Sequence, residues 1–488
     1  MTKCYSGPDG TLGKGICKEG MQTCRKDGTG YDACLGDTKP KAESCAAPED
    51  ENCDGYDCVQ WAELFGDGAD QITTGTAIDS TGNIYVTGIF YGAIPLAGKT
   101  LISAGATDIF LLKLGSNGKP IWGEQVGDGD YQDGPVVAVD SSDNVFFGGR
   151  SKTPISLGGA PVPAGLFIAK LSSDGNHVWS KGLTTEVGCV GSDRNLLGLA
   201  TTPQNDIVLC GYYCGTIDFG AGAISSKGSS DGFVAKLKGD DGSVNAADET
   251  WGRVFGDAAS QEVNGVAVDP AGNILIAGTF NGSITFGPMD SISSSGGSDA
   301  FVAKLTATGS PSWHVKLGDG ADQAMVAISV DAVGGPVVTG TFAGAINFDG
   351  TNPVNGFSFI AKYDSTGGYK WSKIITTTGI SNGVAIDSAG NTIIAGLFQG
   401  SLDLGGAPLV ATGSGAEAFV AKLSATGTLV WNKRFGDANS VLATAASVAI
   451  TSLGEPLVVG NVSGPINLGT GVLTPAGESD VWVAKLSP

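Results

Sequence analysis

Histidine is almost missing from this sequence: His177 and His314 are the two in 488 residues. They stand beside tryptophans in widely separated stretches, too far apart to cooperate, so neither reads as a catalytic base or a metal ligand. Positive charge is also scarce. Lys and Arg number 28 against 49 Asp and Glu, a formal net charge of −21, which opposes binding to phosphate backbones or anionic membranes. Nucleic acid is therefore not an expected partner. No apolar run approaches the ~18 residues of a membrane span, and the opening MTKCYSGPDG has no signal-like apolar core. Neither an H-E-x-x-H helix nor a phosphate-cradling P-loop is present.

What is present is glycine and cysteine, each in a pattern. The 78 glycines are about twice the usual share of roughly 7% and recur at fixed places, which points to many tight turns in an all-β chain. Seven of the 10 cysteines lie in the first 58 residues, at Cys4, Cys17, Cys24, Cys34, Cys45, Cys53 and Cys58. That stretch has almost no aliphatic periodicity, so covalent closure is expected to hold it together. The intervening runs of 12, 6, 9, 10, 7 and 4 residues contain no C-x-x-C knuckle, and no histidine accompanies them, which disfavours zinc. A disulfide-rich, mostly irregular module over 1–58 implies an oxidising compartment, hence a secreted or cell-surface protein whose export signal is not in this chain. Seven is odd. Three bridges among Cys17, Cys24, Cys34, Cys45, Cys53 and Cys58 would leave Cys4 free, lipidated or bonded to another molecule.

From residue 59 to 488 one pattern repeats. Tryptophans fall at 61, 122, 179, 251, 313, 371 and 431, a spacing of roughly 60 that defines a repeat unit. Each is matched by an "AKL" strand, from FLLKL at 110 to WVAKL at 482. Within a unit such as 262–318, VNGVAVD, NILIAGTF, DAFVAKL and PSWHVKLG read as four short strands separated by Gly, Asn, Ser and Pro. Four-stranded antiparallel sheets bury both faces by stacking radially, which is the β-propeller solution. The last unit lacks its tryptophan strand, whereas CVQWAELFG after the cysteine module is an orphan one. Pairing Val59–Gly66 with Asp480–Leu486 completes seven blades by a 1+3 closure and leaves no open edge.

The recurring VAVDPAGNILIAGTF, preceded by GDAASQE, resembles the bacterial seven-bladed propeller repeat called SBBP, over residues 60–488. The departures are DSSDN in the second blade, TTPQND in the third and TSLGEP in the last. The N-terminal CYSGPDGTLGKGICKEGMQTCRKDGTG and ENCDGYDC are similar to cysteine-rich modules of secreted or surface bacterial proteins, which implies export but no chemistry.

Candidate sites follow from the repeat. Asp79, Gly82 and Asn83 read as a hairpin turn rather than a calcium loop, which needs more oxygen ligands at tighter spacing. Asp67, Asp128, Asp257, Asp319 and Asp437 share one offset after the tryptophan strand, and Asp70, Asp130, Asp133 and Asp322 lie nearby. Together they predict an acidic rim at the mouth of the central channel. The rim either bonds its own turns or captures a cationic ligand or Ca²⁺; no cofactor is required. The long links after each second strand, with Phe90, Phe280, Phe342 and Phe398 at their starts and Tyr91 beside the first, are expected to present binding loops on the same face. The phenylalanines themselves read as interblade packing. Cys210 takes the slot of Thr87, Ala277, Thr339 and Ala395 and should be a buried small residue, leaving Cys189 and Cys214 to bridge two loops.

The expected function is non-enzymatic binding or adhesion to an extracellular or cell-envelope protein or glycan. The alternatives are a structural subunit that assembles through the cysteine module, or a glycan-active enzyme working through paired acids.

Overall fold

The computed structural model describes residues 1–46, 49–53, 58–184, 194–244, 250–287, 290–350, 352–436 and 442–488. The propeller has seven four-stranded antiparallel sheets arranged around an axis. Blade one shows the order from inside out: Gln71–Ile78, Ile84–Phe90, Asp108–Leu114 and Pro120–Val126. The third strand is buried along its whole length, including Asp108 at its start and Lys113 near its end.

Blade seven closes the ring as the termini predict. Val59–Phe65 forms its outermost strand and pairs antiparallel with Asp480–Leu486, with Trp61 opposite Lys485 and Leu64 opposite Trp482. Since no turn joins these two strands, the seam is held differently from the other six blades. Ser487 donates its amide to the carbonyl of Cys58 at 2.8 Å, and the Cys45–Cys58 disulfide lies in a core cluster with Trp431, Trp482 and Leu486.

Outer-strand tryptophans hook each blade to the next. Trp251 donates its indole N–H to the carbonyl of Ala307 at 3.1 Å, and its ring lies over the turn glycine Gly309, where φ is +80° and a Cβ would come within 2.6 Å of the indole. Trp61, Trp122, Trp179, Trp313 and Trp371 make the same bond to Ser116, Ser173, Gly239, Ser365 and Ala425. Trp431 faces the seam, where that turn does not exist. Its buried N–H has no acceptor among the described residues.

The lysine of each "AKL" strand has a function the repeat alone does not reveal. It reaches the acid of its own blade's inner turn: Lys113 to Asp79 at 3.3 Å, Lys170 to Asp140 at 3.0 Å, Lys236 to Asp206 at 3.5 Å and Lys304 to Asp269 at 2.8 Å. Lys362–Asp331, Lys422–Asp387 and Lys485–Glu455 complete the set. Asp79 also accepts from the amides of Thr81 and Asn83 at 3.0 and 2.8 Å. Burial opposes its charge, but the bonds from Asn83, Thr81 and Lys113 outweigh that and hold its carboxyl below the usual range. The turn acid is structural. Where the turn glycine is missing, Asp143 and Asn205 adopt φ near +64°, and each side chain reaches back to the preceding blade's turn, at Ser80 and Ser141.

The links after the second strands do not form a loop canopy. Six fold into short hairpins, while in blade two a single bridge joins Ile155 and Val162. Their alternating apolar residues wedge between blades: Ile284 and Phe286 of blade four share a cluster with Phe255 of blade three, and Ile346 and Phe348 of blade five do so with Leu317 of blade four. The hairpins run down the flank, where Lys99 bonds the carbonyl of Gly123 at 2.7 Å in the outermost strand. Their period-two apolar pattern is what draws them off the rim.

In the N-terminal module Thr2–Cys4 pairs with Gly20–Gln22, and disulfides join Cys4–Cys34, Cys17–Cys53 and Cys45–Cys58. The leftover cysteine is therefore Cys24 and not Cys4. Pairing of the first two strands brings Cys4 toward the 20–35 hairpin, whereas Cys24 sits opposite Tyr31 and stays exposed. Cys214 is disulfide-bonded, and its expected partner Cys189 lies outside the described residues. Cys210 is fully buried and unpaired.

Candidate functional site

The face carrying the turns into the inner strands holds the sequence-predicted acids. The carboxylates of Asp67, Asp128, Asp257 and Asp319 are engaged by their own turns and by the link that follows the second strand. Asp67 accepts from the amides of Ala69 and Ala93 at 2.9 and 2.7 Å and from the Gln71 side chain at 2.9 Å. Asp257 and Asp319 repeat this with Ala259, Ser283 and Gln261, and with Ala321, Ala345 and Gln323. Asp128 accepts from Thr153, the Asp130 amide and Gln132. These donors hold the Asp128 and Asp319 carboxyls below the usual range. Asp130 accepts from the Tyr131 amide, Asp322 from the Ser298 amide, and Asp133 pairs with Arg150 at 3.6 Å. Asp70 contributes its carbonyl to the Tyr91 amide. Asp437 lies outside the described residues. The aspartates thus occupy equivalent stations around the face without converging on one point. Among the described residues no group of three or more His, Cys, Asp or Glu is arranged to hold a metal ion.

Two sets of residues in this face escaped the sequence reading. Gln71, Gln132, Gln261 and Gln323 are fully buried, and each accepts from the amide of the aspartate that it also donates to, at 3.1, 3.4, 3.2 and 3.2 Å. The signal was available as the recurring Asp-x-x-x-Gln spacing in GDGADQ, GDGDYQ and GDAASQ. The second set is Asp108, Asp231, Asp299 and Asp480, which head third strands, are 0–1% exposed and each keep one carboxylate oxygen without a hydrogen-bond partner. In blade two's entry turn, a Cβ on Gly127 would come within 2.2 Å of that oxygen of Asp108 and 2.5 Å of the Gln132 oxygen. This explains the Gly of Gly-Asp. Burial pushes the carboxyls of Asp108, Asp231 and Asp480 up, with Asp128, Asp257 and Asp67 adding to the effect.

Phe90, Phe280 and Phe398 are fully buried and Phe342 nearly so, each set edge-on or tilted against a third-strand phenylalanine of its own blade. Tyr91 and Tyr131 remain partly exposed on the rim, with Lys152 lying 4.9 Å above the Tyr131 ring. The histidines occupy different blades: His177 bonds Ser180 at 3.1 Å, and His314 stacks on Phe286 at 5.0 Å. The stretch Gly228–Gly232, GSSDG, has the spacing of a nucleophile elbow but runs straight into the third strand of blade three, without the strand-to-helix turn that exposes such a serine.

On the axis a cavity of about 340 Å³ opens between the inner strands. In each blade the inner strand bulges at this level, for example between Thr73 and Gly75 and between Val263 and Gly265. None of the lining residues is charged.

No family model matches the chain. An uncharacterised WD repeat-containing protein, L264, of Acanthamoeba polyphaga mimivirus is 25% identical over 185 residues, which cover 31% of this chain and 13% of that relative's length. Among solved structures, the Pan2 WD40 domain of Neurospora crassa matches at 8% identity over 86% of this chain and 90% of its own, with a TM-score of 0.42. Puromycin hydrolase matches at 13% identity over 84% of this chain and 54% of its own, with a TM-score of 0.46. None of these likenesses carries a role over to this chain.

Proposed function

We propose that the chain is a non-enzymatic binding protein, exported or held at a cell surface and related to the SBBP repeat proteins, that takes an extracellular or cell-envelope protein or glycan on its rim face. The observation that carries this reading is a rigid face with carboxylates fixed at equivalent stations around a central opening. Tyr91 and Tyr131 lie exposed beside it. Aromatic rings with polar tips are favoured at recognition surfaces, and the acidic surround favours a partner with positive charge. Three disulfides within the first 58 residues support an oxidising compartment.

The test is a glycan array and a biosensor panel of cationic and neutral envelope polymers, with and without calcium. Tyr91→Ala/Tyr131→Ala and Asp70→Asn/Asp130→Asn serve as variants. Capture that falls at least tenfold in either variant supports the rim. Capture indifferent to both overturns it.

Assembly through the cysteine module is favoured by one observation, the unpaired exposed Cys24 near exposed Tyr31 and Leu35. A covalent dimer under non-reducing conditions that disappears in Cys24→Ser would establish it.

A further inference from the structure

Side chains alternate along a strand, so the residue two places after each outer-strand tryptophan shares its face, the one turned toward the next blade. At that station stand Glu63, Glu124, Lys181, Arg253, Val315, Lys373 and Lys433. Lys181 of blade two reaches into blade three, where its ammonium donates to the carbonyls of Phe219 at 2.7 Å and Gly242 at 2.9 Å. Arg253 of blade three donates in the same way to the carbonyl of Phe286 in blade four, at 3.2 Å. A Cβ on Gly405 of blade six would meet the Lys373 ammonium of blade five at 3.1 Å, and Lys433 of blade six lines a groove beside Leu468 of blade seven. Val315 packs instead against an apolar cluster. The space between blades therefore holds a ready acceptor set for a cation, made of a link carbonyl and a turn carbonyl of the following blade.

Blade one departs from this scheme. Its station is Glu124, and the carbonyls equivalent to those of Phe219 and Gly242 belong to Leu157 in the link of blade two and Gly175 in its turn. All three residues line a groove of about 450 Å³. Among the described residues, no lysine or arginine lines it. The two turns are held alike: a Cβ on Gly175 would meet the Trp122 ring at 3.3 Å, as one on Gly242 would meet the Trp179 ring at 2.9 Å. The other acid at this station, Glu63, is met by Lys119 from the turn of blade one, whereas Asn176 takes that lysine's place in the turn of blade two. Lys99 stands 3.5 Å from Glu124, but it comes from blade one's own hairpin and its ammonium bonds the Gly123 carbonyl at 2.7 Å. The groove between blades one and two has the acceptors and an acid, and the cation that fills its counterparts is missing from the chain.

We propose that this groove binds a primary ammonium from outside the chain, carried on an aliphatic stem, with its N–H groups shared between the Glu124 carboxylate and the Leu157 and Gly175 carbonyls. The ligand takes the place that Lys181 fills between the next two blades. Three donors on one compact charge match one carboxylate and two carbonyls. A quaternary ammonium has no N–H to give, an alcohol brings no charge, and an anion meets Glu124. The groove lies between outer strands on the flank of the propeller, so the inference goes beyond the rim reading and does not depend on it.

The reporter is the indole N–H of Trp122, which donates to the Ser173 carbonyl at 3.1 Å, two residues before Gly175. Its nitrogen-15 NMR signal in the full chain is identified with Trp122→Phe and followed during titration with n-butylammonium, n-butanol, tetramethylammonium and the peptide acetyl-Ala-Lys-Ala-amide. A saturable shift with butylammonium is expected, with butanol and tetramethylammonium at least tenfold weaker. Glu124→Gln should weaken butylammonium about tenfold, and Glu124→Lys should abolish the response by placing the chain's own ammonium in the groove, as Lys181 does in its counterpart. Thermal melting checks that both variants fold. A peptide that binds at least tenfold tighter than butylammonium identifies a partner protein's lysine as the ligand, and equal or weaker binding identifies a free amine. Absence of a saturable response in wild type, or a response that survives in Glu124→Lys, overturns the groove site. The rim variant Asp70→Asn/Asp130→Asn should titrate like wild type, which keeps a failure of the rim reading distinct from a failure here.

Discussion

The amide of Ser487 donates to the carbonyl of Cys58 across 2.8 Å, although almost the whole chain separates the two residues. That bond lies at the seam of blade seven, beside the Cys45–Cys58 disulfide and the Trp431 ring in one buried cluster. In the other blades a turn does this job. Here the cysteine module supplies the missing part.

Cys45→Ser/Cys58→Ser should therefore destabilise the propeller itself and not only the module, by about 2–4 kcal/mol. Chemical denaturation followed by tryptophan fluorescence measures this. A midpoint unchanged from wild type would show that the seam holds without the bridge.

Lys304 and Asp269, both buried, form one of the seven lysine–acid pairs. Lys304→Met leaves a buried carboxylate without its cation and should cost about 3–5 kcal/mol, whereas Lys304→Met/Asp269→Asn should recover part of that loss. Burial works against the Asp269 charge, yet Lys304 and Asn273 hold its folded pKa below the ordinary value. Its contribution is thus present above the unfolded pKa of about 4 and is lost as pH falls through the lower folded value. Melting curves from pH 5 downward should show the loss in wild type, with a shallower slope in the double variant.

Asp108, Asp231 and Asp480 have the opposite sign, because burial raises their folded pKa values. Their contribution is complete below the unfolded pKa and declines as pH rises through the raised values. Denaturation between pH 4 and 8 should show wild type losing this component, and Asp108→Asn/Asp231→Asn/Asp480→Asn should flatten the upper part of the profile. An unchanged profile in the triple variant would place the titration elsewhere.

Cys24 is exposed and Cys210 is fully buried, where burial pushes its thiol pKa up. Iodoacetamide should label Cys24 in the native chain and reach Cys210 only after unfolding. Peptide mass spectrometry reads both sites, and native labelling of Cys4 would contradict the Cys4–Cys34 bridge.

The ring and its closure were legible because Trp61 and Trp482 each belong to an incomplete unit, and two incomplete units in a closed repeat must complete one another. The Lys113–Asp79 pairing was not. The turn and the "AKL" strand each recur with the same period, so periodicity cannot separate two neighbours in space from two independent features. The links were misread for a related reason: variability in length suggested display, while Ile284 and Phe286 carried the strand-like alternation that buries them. Cysteine parity gave an odd thiol but could not choose it, since the choice depends on which strands of the module pair. On the rim, Asp67, Asp128, Asp257 and Asp319 lie in the turns that lead into inner strands, as their shared spacing implies. Their engagement with Gln71 and its equivalents depends on side-chain reach, which spacing alone does not convey.

The strand Val59–Phe65 is made early in synthesis and finds its partner, Asp480–Leu486, only after more than four hundred further residues have emerged. Until then its edge is open to solvent, to chaperones and to neighbouring nascent chains, so the whole ring is completed in one late step, when the strand Asp480–Leu486 arrives. Products truncated before residue 480 would carry that unfinished edge permanently, which marks them for degradation or aggregation.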